Sequence, residues 1–422
     1  MTDRPPLKGV RVADFSWAWA GPYAAMELAL FGAEVIKIES MKRLDHVRLR
    51  ALGFGHFRGA DASPFFNDLN MNKLSVTLDL GHPKAVEIAK KIVSISDIML
   101  QNMRPGVMDR LGFSYEAMKK VKPDIIYLSS SACGATGPDR EYVGYAPTFG
   151  ALGGGVHLTG YPDMAPQPLT GSVDLRSAAT SAFIMLAALV HRQRTGEGQH
   201  IDVSSQETIT ALIGDALMEY TMNGRSRTRR GNEDDAMAPH NVYRCRDDKG
   251  MTIAAAEEEW KDLRRDDKWV TIAVATEEEW KALTEVLDNP VLKNDARFAD
   301  AYSRHTNREA LDRIIETWTR ERTPNEVMTV LQRAGVAAVP SFNSEALAHD
   351  PHLKERNAFI ELDHSVMGKR VVVAPHWRMS ETPVHITRPA PLLGGHNRYV
   401  FCDLLGMSPQ EVEDLEKDKV IY

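Results

Sequence analysis

The sequence predicts an α/β protein: a parallel-sheet large domain, covered on both faces, with a smaller central α+β domain. Three observations carry this. Short apolar strand patterns alternate with helix-sized segments in the first half, and an almost uncharged run fills residues 177–190. The alternation then breaks at 224–239, a stretch rich in arginine and then acidic, with no apolar period.

In order, residues 10–15 read as a buried strand, 23–31 as a helix and 34–38 as a second strand. Residues 83–95 are helical by period, with strands at 97–101 and 125–130. The run after Asp174 has apolar or small residues on nearly every side, so it reads as a fully buried helix, too short at 177–190 to span a bilayer. A strand at 200–203 and a long helix at 206–220 follow. The expected domains are 1–224, 225–335 and 336–422, and a polar helix at 409–417 closes the chain. Within the central domain, Asp247-Asp248-Lys249 and Glu257-Glu258-Glu259-Trp260-Lys261 recur as Asp266-Asp267-Lys268 and Glu277-Glu278-Glu279-Trp280-Lys281. This is a local duplication of a strand–turn–helix unit, short of the three copies a solenoid needs, and its glutamates read as solvated first turns.

The chain has 422 residues, 43% hydrophobic and 26% charged, with a formal net charge of −7, which gives no reason to expect a nucleic-acid partner. Cys133, Cys245 and Cys402 form no CxxC pair, the histidines are scattered, and no HExxH, P-loop or Gly-x-Ser-x-Gly occurs. Disulfide, metal-site and serine-hydrolase readings therefore lack support. The start shows no apolar signal region, so the expectation is a cytoplasmic protein without a membrane partner.

Glu39, at the end of the second strand, invites a dinucleotide-binding reading. The turn Ser16-Trp17-Ala18-Trp19-Ala20-Gly21-Pro22 opposes it, because two indoles stand where GxGxxG leaves bare backbone. Trp17 and Trp19 are core residues or, lining a cavity, select a flat or apolar substrate. Lys73 in Asn70-Met71-Asn72-Lys73 and Arg104 in Asn102-Met103-Arg104-Pro105-Gly106 lie at sheet-end loops. There they could serve a phosphorylated ligand, although solvated surface is the simpler reading from spacing. The glycines at 150 and 153–155 let backbone approach another backbone or a ligand. Asp174, where a loop meets the apolar run, reads as an N-cap or as a catalytic carboxylate at a helix start; the two roles are compatible.

Taken in order, several segments resemble the CaiB–BaiF family, the class III coenzyme A transferases. They are Leu7-Lys8-Gly9-Val10-Arg11-Val12, Ala20-Gly21-Pro22, Gly32-Ala33-Glu34-Val35-Ile36-Lys37-Ile38-Glu39, Asn72-Lys73, Arg104-Pro105-Gly106, Thr195-Gly196-Glu197-Gly198-Gln199, Pro391-Leu392-Leu393-Gly394 and Leu404-Leu405-Gly406. The resemblance implies a Rossmann-like large domain built from both chain ends, a small central domain and an interlocked dimer, either with a second copy or with a paralogous chain. It implies a CoA-transferase that uses acyl-CoA as co-substrate, with a carboxylic acid acceptor and no metal or other cofactor. It places the family's aspartate on Asp174, CoA contacts at Asn72, Lys73, Asn102, Met103 and Arg104, and a substrate pocket at Trp17, Trp19, Tyr145, Gly153 and Gly154.

The chain departs from the family's subtypes at named positions. Tyr145 stands where the 2-methylacyl-CoA racemases carry histidine. Trp19 replaces the glutamine of the formyl-CoA type, Glu233-Asp234-Asp235-Ala236-Met237 replaces the tetraglycine loop, and Gly394-Gly395-His396 replaces Gly-Glu-His. The acceptor is thus left open; Trp17 and Trp19 make aryl-substituted succinates one candidate set. A non-catalytic subunit is the rival, opposed by the presence of Asp174.

Overall fold

The computed structural model describes residues 5–51, 59–169, 171–246 and 268–422. It divides into two units, one of residues 1–159, 166–228 and 351–422, the other of 160–165 and 229–350. The small unit thus starts at Arg229, runs to Asp350 and takes in 160–165, which the sequence reading leaves in the large domain.

The large unit is built on a six-stranded sheet: β1 Arg11–Asp14, β2 Glu34–Glu39, β3 Leu74–Thr77, β4 Ile98–Gln101, β5 Ile126–Ser131 and β6 His200–Ser204. The order is β3-β2-β1-β4-β5-β6 and every pairing is parallel. β3 has no counterpart in the sequence reading; its four residues are all buried, and one short strand carries too little period to be seen. On one face, Ile88, Ile92 and Val93 of helix Pro83–Ser94 pack with Phe113, Met118, Val400 and Phe401. On the other, Ala24, Ala25 and Leu28 of helix Ala20–Leu30 pack with Ala178, Met185 and Ala188 of helix Ser172–Thr195. The C-terminal segment returns to this unit: the His396 N–H donates to Ser75 O (3.0 Å), and Asn397 binds both Thr77 Oγ1 and the Tyr422 carbonyl.

Two helix expectations are corrected. Helix Ser172–Thr195 is not buried all round. Val173, Ser177, Ala178, Ser181, Ala182, Met185 and Ala188 face inward, but Leu175, Phe183 and Val190 are exposed, Phe183 to 72%. By length and composition it is also the one described helix that could cross a membrane. The helix expected at 206–220 is broken into Ser205–Thr210, a 3-10 turn at Ala211–Ile213, and Gly214–Asn223. Thr208 and Thr210 hydroxyls bond back to the Ser205 and Gln206 carbonyls, and Gly214 follows, so the first helix is locally weakened there.

In the small unit His240–Arg244, Trp269–Ala273 and Ala337–Pro340 form an antiparallel sheet packed by helices Glu277–Leu287, Arg308–Thr319 and Pro324–Arg333. The first copy of the duplication lies outside the described residues. In the second, the glutamates are not merely solvated: Glu279 closes a capping box with Thr276, and Glu277 pairs with the buried Arg304 at 2.6 Å. The arginine-rich and acidic linker is tied down as well, by Asp234 accepting from Ala236 and Met237 N–H and by Glu233 pairing with Arg308.

The Gly196–Gly198 turn has a clear requirement. A Cβ on Gly198 would stand 2.2 Å from Ile125 O and 2.4 Å from the Asp124 carbonyl, both backbone atoms at the entrance to β5. Gly198→Ala should therefore destabilise by about 1–3 kcal/mol, the usual range for overpacking, read as a lowered midpoint in denaturant unfolding. An unchanged midpoint would show that this turn can shift freely.

Candidate active site

In an open sheet of this order, ligands bind outside the carboxyl ends of the strands, where the order reverses. Here that point lies between β1 and β4, so the loops after Asp14 and Gln101 border it. These loops carry Trp17 and Trp19 on one side and Asn102, Met103 and Arg104 on the other.

Beneath them is a set of charges withdrawn from water. Asp14, Lys37, Arg48 and Lys73 are wholly buried, and Glu39 and Asp45 nearly so. Lys73 Nζ donates to Asp14 Oδ2 (3.0 Å), Asn70 Oδ1 (2.9 Å) and the Pro22 carbonyl (2.7 Å). Lys37 Nζ donates to the Ser16 carbonyl (2.7 Å) and lies 3.7 Å from Asp45. Arg48 grips Glu39 with two parallel bonds of 2.8 and 2.7 Å, reaches Asp61 at 2.7 Å and stacks 3.4 Å above the Phe66 ring. Ser75 Oγ donates to Glu39 and accepts from the Gly394 N–H.

Burial pushes the Asp14 carboxyl up, but Lys73, Lys37 and the Ser16 donors outweigh it and hold it below its ordinary value. Burial likewise opposes Glu39, and Arg48, Lys37 and Ser75 hold it low. For Lys73 burial wins over the pull of Asp14 and brings the ammonium down to about 8. It still remains charged at neutral pH, because three acceptors saturate its three N–H groups.

This arrangement corrects several expectations. Lys73 is spent on Asp14, Asn70 and Pro22 and presents nothing to a CoA phosphate. Asn72 sits in the left-handed region (φ 63°); its amide accepts from Thr387 and Arg388 N–H and donates to the His385 carbonyl, so it anchors the returning C-terminal segment. Asn102 spends both ends of its amide on Trp17, accepting from its N–H (2.7 Å) and donating to its carbonyl (2.8 Å). Gly21 permits this closeness: a Cβ there would stand 2.4 Å from Ser16 Cβ and 3.1 Å from Asn102 Cγ. Glu39 serves Arg48 rather than a ribose. Gly153 and Gly154 belong to helix packing, since a Cβ on Gly153 would meet Gln206 O at 2.8 Å and one on Gly154 would meet Ile213 at 2.7 Å.

Arg104 is placed differently. It is exposed on the rim of a 260 Å³ cavity that Met103 also lines. The cavity holds an aromatic group that sequence reasoning missed: His200 stacks on Tyr115 (5.3 Å, 19°), meets Tyr127 edge-on and contacts Ser129 Oγ at 3.0 Å. These residues lie in three separate elements, so no local motif announces them.

Asp174 is not the N-cap. Gly171 is (φ 83°), without a side-chain cap bond, and Asp174 is half-buried in the first turn of helix Ser172–Thr195, where the helix dipole favours a carboxylate. Trp19 comes to this helix start: its ring lies 3.7 Å from where a Cβ on Gly171 would sit, and Phe65 meets it edge-on. Trp17 faces elsewhere, with the Arg43 guanidinium 5.3 Å over its ring. Tyr145 precedes helix Ala146–Leu152 and is exposed, its ring edge-on to His46.

The chain matches the CoA-transferase family III over residues 7–266 and 264–397. It is 32% identical to a succinyl-CoA–D-citramalate CoA-transferase of Chloroflexus aurantiacus, over all of both chains. It is also 32% identical to the alpha subunit of a succinyl-CoA–L-malate CoA-transferase of the same organism, over 99% of this chain and 92% of that one. The crystal structure of a CAIB/BAIF family protein from Brucella suis superposes with a TM-score of 0.82 at 27% identity, over 94% of this chain and 99% of that one. The chain belongs to CoA-transferase family III. It is an enzyme that transfers coenzyme A between an acyl-CoA and a carboxylic acid.

The buried carboxylates set an acid limit on the fold. Asp14 and Glu39 have native values below the ordinary 3.8 and 4.5, so their stabilisation is present above those values and lost as pH falls through the native ones. The melting temperature should drop as pH is lowered below about 4.5, and the drop should persist at about 1 M salt, which screens surface pairs but not buried ones. A melting temperature flat from pH 5 to pH 3 in that salt would contradict it.

Proposed function

We propose that the enzyme moves CoA from a donor acyl-CoA to a dicarboxylic acid through covalent intermediates on Asp174. The supporting observation is the position of this carboxylate: half-buried, in the first turn of a helix whose Gly171 cap lies against the Trp19 indole. An Asp174 oxygen attacks the thioester carbonyl, the C–S bond breaks, and CoA leaves as thiolate, giving a mixed anhydride. The thiolate then attacks the aspartyl carbonyl and expels the donor acid, leaving an aspartyl thioester. The acceptor carboxylate attacks that carbonyl and frees the thiolate, which attacks the acceptor's acyl carbon and returns Asp174 as carboxylate. Each tetrahedral oxyanion calls for N–H donors, which the unpaired first-turn amides of a helix can supply. Arg104, exposed on its cavity, is the remaining candidate for a CoA phosphate among the basic residues singled out by sequence.

The dicarboxylate is supported by the acids named for the two Chloroflexus relatives, citramalate and malate, and the aryl-substituted succinates extend that class. Tyr145 in the place of a histidine favours transfer over racemisation. A dimer is supported by the exposed Leu175, Phe183 and Val190 on one helix and Leu217 and Met218 on another, and a paralogous partner by the relative named as an alpha subunit.

Asp174→Asn should abolish transfer and leave stability within about 0.5 kcal/mol, because Gly171 rather than Asp174 starts the helix. Steady-state assay with thermal melting checks it, and transfer at the wild-type rate would refute the assignment. Trp19→Gln should weaken transfer to an aryl-substituted dicarboxylate more than to a small one, by loss of apolar contact worth roughly 25 cal/mol per Å². If Trp19 is only packing, the variant melts earlier and the ratio of the two acids stays fixed.

A further inference from the structure

We propose that Asp45 is a positioning residue for the acid-binding loop, acting through the backbone of Ala18. This rests on the reading of Trp19 as the wall beside Asp174. Ala18 is in the left-handed region (φ 63°), a conformation that costs an alanine roughly 1–2 kcal/mol and persists only where neighbours enforce it. The enforcement is visible residue by residue. Ser16 N–H donates to Asp14 Oδ1 at 2.9 Å, and the Ser16 carbonyl accepts from Lys37. Trp17 is held at both N–H and carbonyl by Asn102. The Ala18 N–H donates to both oxygens of Asp45, at 3.1 and 3.0 Å.

Asp45 is itself fixed by burial and by two further partners. It is 2% exposed, lies 3.7 Å from the Lys37 ammonium, and accepts from the Val47 N–H at 3.2 Å. The left-handed residue separates the two indoles, one carrying Arg43 on its face and the other lying at Gly171. If Ala18 relaxed to the ordinary right-handed or extended region, the chain direction would change between Trp17 and Trp19, and the two rings could not both keep these neighbours. Asp45 lies on a different loop, the one after β2. Its effect on substrate therefore passes through the Ala18 amide and, by way of the Lys37 ammonium, through the Ser16 carbonyl.

The test labels the full-length protein with 5-fluorotryptophan and follows its seven tryptophans by fluorine NMR, with Trp17→Phe and Trp19→Phe as assignments. Asp45→Ala removes the contact, and Asp45→Ala combined with Ala18→Gly removes it while giving residue 18 free access to the left-handed region. Asp45→Ala should shift or broaden the Trp17 and Trp19 signals, leave the other signals in place, and raise the KM for the acceptor acid roughly ten-fold with a smaller change in kcat; the added Ala18→Gly should bring signals and KM back toward wild type. Asp45→Asn keeps an oxygen for the Ala18 amide and should stay within about two-fold of wild type in KM. A folded Asp45→Ala protein with both signals unmoved overturns the proposal. If that variant does not fold, Asp45→Asn decides: unmoved Trp17 and Trp19 signals are expected, and displaced signals overturn the proposal. Absence of CoA transfer by the wild type would instead refute the transferase reading, and the fluorine spectra would still decide the role of Asp45.

Discussion

The ion pair between Lys73 and Asp14, with its extension through Lys37, Asp45, Glu39 and Arg48, is the interaction on which the site depends. A buried pair of this kind is weak evidence for stability, because removing charges from water costs about what their attraction returns. What it supplies here is placement. The ammonium of Lys73 ties the end of β1 to the start of β3 and to the carbonyl of Pro22 in the first helix. Arg48 ties the end of β2 to Asp61 and to the Pro391 carbonyl of the returning C-terminal segment. Breaking any one partner would leave an uncompensated charge inside the protein, so the loops above are fixed as a set rather than one by one.

The consequence for chemistry lies in the loop after β1. An irregular loop bearing two indoles would ordinarily sample many conformations, at a cost to binding each time it orders. Here its backbone polar groups at 16, 17 and 18 are held by Asp14, Lys37, Asn102 and Asp45, all rooted in the sheet or in loops at its edge. The indole of Trp19 is thereby presented to the start of the helix that bears Asp174. A covalent mechanism with hydrolysable anhydrides benefits from a wall that does not have to be assembled at each turnover.

The fold was largely legible because its signals are local or periodic. The alternation of strand and helix, the break near 224–239 and Gly196–Gly198 each leave a mark within a few residues. The uncharged run placed Asp174 at the start of a helix, and it lies in that helix's first turn, although the cap is Gly171. The charge cluster was not legible, because nothing local links Asp14, Lys37, Glu39 and Lys73, on or beside three strands, to Asp45 and Arg48 in the segment after β2. Only pairing across three strands reveals why they are buried. Lys73 and Asn102 looked like ligand groups for the same reason: a polar residue at a sheet end serves a ligand or the scaffold, and sequence spacing does not separate the two. His200, Tyr115 and Tyr127 escaped notice because they meet only through the packing of three elements.

The most direct measurement is covalent trapping. The protein is incubated with donor acyl-CoA, quenched with hydroxylamine, digested and examined by mass spectrometry. The account predicts a hydroxamate on the peptide containing Asp174, formed only when acyl-CoA is present. A hydroxamate on a different carboxylate, or none while CoA transfer proceeds, would contradict it.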